Sequence, residues 1–139
     1  MHTTTEQNKT IVKRFNKEFI EQGNFSSFMD LVSDDVINHA APPGSSKGAN
    51  GMIHFIENIL RAAFANIKVE ILDQVAEADK VTTRKVIHGT HTGELMGVHP
   101  TGKCVAINVI DIIRIKDGKY AEHWGNSNFS EVVGELSSR

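Results

Sequence analysis

The chain has 139 residues, 40% of them apolar, with 15 basic and 17 acidic side chains and a formal charge of -2. That length suits one domain spanning 1–139 around a single core, and the balance of charge leaves no basic field for a phosphate backbone, so nucleic acid is not expected as a partner. No apolar run approaches the ~20 residues of a membrane span and the polar opening MHTTTEQNKT carries no signal-peptide pattern, so a cytoplasmic protein without membrane contact is expected.

In chain order, residues 5–22 read as a helix whose apolar stripe is Ile11, Phe15 and Phe19, flanked by Val12 and Ile20 and ended by Gly23-Asn24. A short helix comes next at 26–31, then a turn at Ser33-Asp34-Asp35 and an extended or irregular passage, Val36 to Asn38, ending in His39. The Pro, Gly and Ser cluster from Ala40 to Gly48 is a loop. Asn50 is placed to cap a helix at 51–64, with Ile53, Ile56, Leu60 and Phe64 on one face. From Ile67 the apolar period changes from helical to alternating. Ala78-Asp79-Lys80 reads as a hairpin turn, and a β-branched strand runs through 81–92. A glycine-bearing loop spans Gly93 to Gly102, and another strand runs from Lys103 to Ile115. Asp117-Gly118 signals a tight hairpin before a last strand from Lys119 to about Phe129. Helices gathered ahead of an antiparallel sheet define an α+β fold: three helices on one face of a curved sheet of at least four strands.

Several side chains stand out chemically. Asp111 lies among Val109, Ile110, Ile112 and Ile113, an unusual place for a carboxylate. Facing a pocket, it would have its pKa raised by desolvation and suit acid/base work; otherwise it forms an ion pair with Arg84, Arg114 or a histidine. Trp124, the only tryptophan, shares a strand face with Glu122, Asn126 and Asn128 by alternation, either lining a cavity or filling the core. His123 points the opposite way, toward the outer face or an interface. Arg84 shares its face with Thr82, Val86 and His88, and either clamps a ligand oxygen or pairs with Glu70. His39 precedes the proline-rich loop. No HExxH is present and His88-x-x-His91 mixes two strand faces, so no metal is expected. Cys104, the lone cysteine, excludes an internal disulfide and reads as a small hydrophobe in a strand.

Three stretches carry a family pattern: His88-Gly89-Thr90-His91-Thr92-Gly93-Glu94-Leu95-Met96-Gly97 with Pro100-Thr101-Gly102-Lys103; Ile112 through Asp117-Gly118-Lys119 to Glu122-His123-Trp124; and Asn38-His39-Ala40 ahead of Lys47-Gly48. In order and spacing, over nearly the whole chain, these resemble the SnoaL-like polyketide cyclases of the NTF2-like superfamily. The resemblance implies a cone-shaped, curved antiparallel sheet wrapped around N-terminal helices, with an internal cavity, and a homodimer formed through the open sheet face. It also implies ring closure by intramolecular aldol condensation without metal or organic cofactor, with a cavity carboxylate as acid/base and a histidine assisting in some members. Those cyclases carry an aspartate four residues beyond the tryptophan. Here that position is Asn128, whose amide cannot be a general base.

The combined expectation is a cyclase, isomerase or hydrolyase acting on a hydrophobic carbonyl compound. His39 and Asp111 are the expected proton-transfer groups, and Arg84, His88, Trp124, Asn126 and Asn128 the expected substrate contacts. The alternative is a binding protein that uses the same cavity without turnover, a reading that Asn128 favours.

Overall fold

The computed structural model describes residues 2–138. Helix α1 runs Thr5–Arg14 and continues as a wider π-helical segment, Phe15–Glu21. Its start is fixed by a capping box: the Gln7 amide N–H donates to Thr4 Oγ1 at 3.1 Å and the Thr4 N–H donates to Gln7 Oε1 at 2.9 Å. Gly23 ends it with φ +71°, a left-handed conformation that glycine adopts without steric cost. Helix α2 is Phe25–Leu31, capped by Asn24. Helix α3 comprises Ala49–His54, a π-helical segment Phe55–Leu60 and a last turn Arg61–Ala63. Helix α4 is Phe129–Ser137.

The strands are β1 (Val32–Asn38), β2 (Phe64–Glu77), β3 (Lys80–His91), β4 (Cys104–Lys116) and β5 (Lys119–Ser127). They form one sheet in the order β1-β5-β4-β3-β2, antiparallel throughout except for the parallel β1–β5 edge pair. The α+β architecture is therefore as expected from the change of period, but the sheet gains a strand. Ser33-Asp34-Asp35 lies within β1 rather than in a turn, because Val32 and Val36 are both buried and hold the strand against the domain. The last strand stops at Ser127, not Phe129, and the chain turns into α4, which buries Val132 and Leu136. β2 begins at Phe64, ahead of Ile67, with Asn66 at φ +55° where the register slips. The α3 cap is Gly48 rather than Asn50. Among the described residues no helix is long and apolar enough to cross a membrane.

Side-chain parity decides what the concave face of the sheet offers. On β3, Val81, Thr83, Lys85, Ile87 and His91 are buried, while Arg84 and His88 alternate with them on the outer face. On β4, Ile107, Asp111, Ile113 and Ile115 point inward. On β5 the register changes: Ile115 pairs with Tyr120 but Arg114 pairs with Glu122, so Ala121 is an inserted residue, a β-bulge that re-aims the rest of the strand. Tyr120 and His123 consequently both face the helices. α1 and α2 pack on β5 here, where Phe15, Phe19, Phe28 and Tyr120 meet ring against ring with centroids 4.7–6.2 Å apart. Each such buried ring contributes about 1.5–3 kcal/mol.

Candidate active site

Between α1, α3, the 40–46 loop and the concave face of the sheet lies a cavity of about 590 Å³, a size that suits a small organic ligand. Most of its wall is apolar: Phe15 and Ile20 from α1, Met52, Phe55 and Leu60 from α3, and Ile87 and Ile107 from the sheet. Five ionisable side chains interrupt that wall, His54, Lys85, Asp111, Tyr120 and His123, and three of these, Lys85, Asp111 and His123, cluster. They meet at one carboxylate oxygen: Asp111 Oδ2 is 3.3 Å from Lys85 Nζ and 3.4 Å from His123 Nε2. Asp111 is only 3% exposed and Lys85 4%.

The bonds around this group fix its protonation geometry. Asn38 Oδ1 accepts the Ala40 backbone N–H at 3.0 Å, which identifies that atom as oxygen rather than amide nitrogen. The same oxygen lies 2.7 Å from His123 Nδ1, so Nδ1 is the ring's N–H donor. His123 Nε2 is left facing the Asp111 carboxylate. On the other side, Lys85 Nζ donates to Asn16 Oδ1 at 2.5 Å. Asn16 is itself held by its amide nitrogen, which donates to the Val12 carbonyl at 2.9 Å. Asp111 Oδ1 is buried with no hydrogen-bond partner.

Electrostatics corrects one expectation. Burial by itself pushes the Asp111 pKa up, as anticipated from its apolar neighbours, but the Lys85 charge and the His123 contact outweigh it and hold the carboxyl below the ordinary aspartate value. Asp111 is a permanent anion at neutral pH rather than a lifted acid. Tyr120 goes the other way: burial, reinforced by the Asp111 charge, pushes its phenol well above the usual range, so it keeps its proton.

Of the residues singled out from sequence, Asp111 and Asn126 line the cavity, Asn126 at a point where it also borders a shallow groove on the far side of β4. The others lie elsewhere. His39 Nε2 is 2.6 Å from Glu122 Oε2 and its ring stacks on Trp124 at 5.0 Å. Trp124 is paired with the outward-facing Ile112, so this cluster belongs to the convex side. Arg84 binds Asp73, with Nε and Nη2 at 2.7 and 2.5 Å from Oδ2, rather than Glu70. Glu70 instead contacts His88 at 3.0 Å. Asn128 Oδ1 accepts the Asn108 backbone N–H at 2.8 Å and ties the end of β5 to β4. The bulge at Ala121 explains the inversion on β5: the set Glu122, Trp124, Asn126 does share one face, but that face is the outer one. Lys85 and His123 were passed over. Lys85 could have been found, since it is in phase with Val81 and Ile87, whereas His123 depends on a bulge that no residue pattern announces. Among the described residues no group of three or more His, Cys, Asp or Glu is placed to hold a metal ion.

A model of the SnoaL-like polyketide cyclases matches residues 10–136. The chain belongs to the SnoaL-like polyketide cyclase family. IdmH from Streptomyces antibioticus superposes with a TM-score of 0.82 at 27% identity, over 95% of this chain and 99% of that one. TsrD from Streptomyces laurentii superposes with a TM-score of 0.85 at 20% identity, over 99% of both chains, a likeness of fold. In sequence, aklanonic acid methyl ester cyclase AcmA of Streptomyces galilaeus is 39% identical over 46 residues, which is 33% of this chain and 32% of that protein. Within this SnoaL-like fold, the Lys85–Asp111–His123 cluster is a charged group set into an otherwise apolar cavity wall.

Proposed function

We propose that the chain is an enzyme that moves a proton at a carbon beside a carbonyl group, in a ring-closing or isomerising reaction of a hydrophobic substrate. The observation that carries this reading is His123, whose Nδ1 is held by Asn38 while Nε2 faces the ionised Asp111 in the cavity wall. In this reading Nε2 removes the α-proton. The resulting imidazolium lies against the Asp111 carboxylate, so the charge created in the step is balanced where it forms. The enolate carbon then attacks a second carbonyl of the same molecule, and His123 returns the proton to the new alkoxide oxygen. Atoms balance, and the product is an isomer of the substrate. AcmA, similar to this chain over a third of its length, is an aklanonic acid methyl ester cyclase, and a hydrophobic ester that also carries ketone groups is the corresponding substrate class here. Asp111 keeps the proton-transfer role expected from the sequence, now through His123 rather than directly. The exposed Leu72, Val75, Ile110 and Ile112 on the convex face of the sheet support pairing with a second copy of the chain.

The test is hydrogen–deuterium exchange at the α-carbon of aryl ketones and β-keto esters in heavy water, read by NMR. Wild type should exchange one of the two α-hydrogens faster than the background, and His123→Gln should lower that rate roughly 10²–10⁴-fold. If wild type does no better than heat-inactivated protein on compounds that it binds, the reading fails. A ligand-binding protein without turnover then stands, a second reading favoured by the structural use of Asn128 at the position where cyclases carry an aspartate.

A further inference from the structure

Lys85 is the least expected group in the cavity wall. Lysine is almost never buried without partners, and its ammonium carries three donors. One is used by Asn16 Oδ1 at 2.5 Å, and a second points to Asp111 Oδ2 at 3.3 Å. No third acceptor lies within hydrogen-bond range among the described residues, and Phe15, Ile87, Ile107 and Val109 are among the apolar residues that line the same cavity. The geometry also argues against a lysine that serves only to neutralise Asp111. A charge-assisted bond made for that purpose settles at about 2.7–2.9 Å, yet here the tight bond goes to a neutral amide and the carboxylate is held at 3.3 Å. Asn16, locked by its own bond to Val12, therefore sets where the ammonium sits: in the wall of the cavity, with one N–H unused.

We propose that Lys85 is a ligand-contacting residue whose free N–H binds an oxygen acceptor of the ligand. Resting on the proposed α-proton transfer, that acceptor is the carbonyl oxygen that becomes the enolate oxygen. A fixed ammonium in an apolar cavity stabilises such an oxygen more as its negative charge grows. The site thereby selects compounds that carry a carbonyl oxygen at one end of a hydrophobic body. Asp111 and Lys85 divide the labour, one balancing the charge on the base and the other the charge on the substrate.

The experiment uses equilibrium binding, which requires no turnover. Calorimetric titration compares an acetylnaphthol with the ethylnaphthol of matching shape, which lacks only the carbonyl oxygen. Wild type should prefer the acetyl compound by roughly tenfold to a hundredfold, the worth of one hydrogen bond to a charged donor. Lys85→Met should erase the preference while still binding the ethyl compound. Because that substitution leaves Asp111 unpaired in a buried site, the double variant Lys85→Met/Asp111→Asn serves as the folded control and should lack the preference too. A preference that survives in Lys85→Met or in the double variant, equal binding of both compounds by wild type, or binding of neither at millimolar concentration would overturn the proposal. Loss of α-exchange with an intact, Lys85-dependent preference would instead count against the proposed reaction and leave this inference standing.

Discussion

Replacing Asp111 with Asn should destabilise the protein by about 3–5 kcal/mol, the usual consequence of removing one member of a buried ion pair and stranding the other. Lys85 would be left as an ammonium that is 4% exposed with only Asn16 as partner. The gross attraction being removed, for charges 3.3 Å apart, is about 5 kcal/mol at an effective dielectric of about 20, so the two figures agree in scale. In a domain of this length each kcal/mol moves Tm by about 4 °C, giving a drop of roughly 10–20 °C. Lys85→Met should cost a similar amount. The double variant should cost far less than the sum of the two, with a coupling above about 2 kcal/mol, because it leaves no stranded charge. The sign of the pH dependence is also determined. The folded-state pKa of Asp111 lies below its ordinary value, so its stabilisation is present above the unfolded value and is lost as pH falls through the folded one. The gap between wild type and Asp111→Asn should therefore be full at neutral pH and close progressively below about pH 4. Urea unfolding monitored by circular dichroism at a series of pH values measures all of this. Additive single-variant costs, or a gap that does not narrow in acid, would refute the reading of Lys85 and Asp111 as a buried, mutually compensating pair.

Gly125→Ala places a Cβ 3.1 Å from both Asp111 Cβ and His123 Cε1, so the imidazole must shift; α-exchange should fall about tenfold or more, with ligand binding retained. Gly51→Ala drives a Cβ to 2.1 Å from the Ser46 carbonyl oxygen, a backbone clash between α3 and the loop at the cavity mouth, and thermal unfolding should show a loss of at least ~2 kcal/mol. Asn128→Ala removes the 2.8 Å bond from the Asn108 N–H and should cost about 1 kcal/mol of stability, while leaving the exchange rate at the wild-type level. His39→Gln, altering a group stacked on Trp124 outside the cavity, should likewise leave exchange and ligand affinity unchanged; a loss comparable to that of His123→Gln would place the base at His39 instead.

Much of the fold was written locally. The helical stripe of Ile11, Phe15 and Phe19, the alternation after Ile67 and the Asp117-Gly118 turn are short-range signals, and each produced the element expected of it. They succeed because a helix or a hairpin is chosen by neighbours a few residues apart. Asp111 was legible for the same reason: a charge within a β-branched strand must find an internal partner. What tertiary structure alone decided was the identity of those partners and the facing of β5. Lys85, Asp111 and His123 come from three strands, joined by pairings that no local pattern encodes. One inserted residue, Ala121, reverses the parity of everything after it, turning His123 toward the cavity and Trp124 away. The side-chain period of a strand is two, so a single bulge is enough to exchange its faces. The sign of the Asp111 pKa shift depended on the same assembly, since burial raises it and only the cation and imidazole brought in from β3 and β5 reverse the balance.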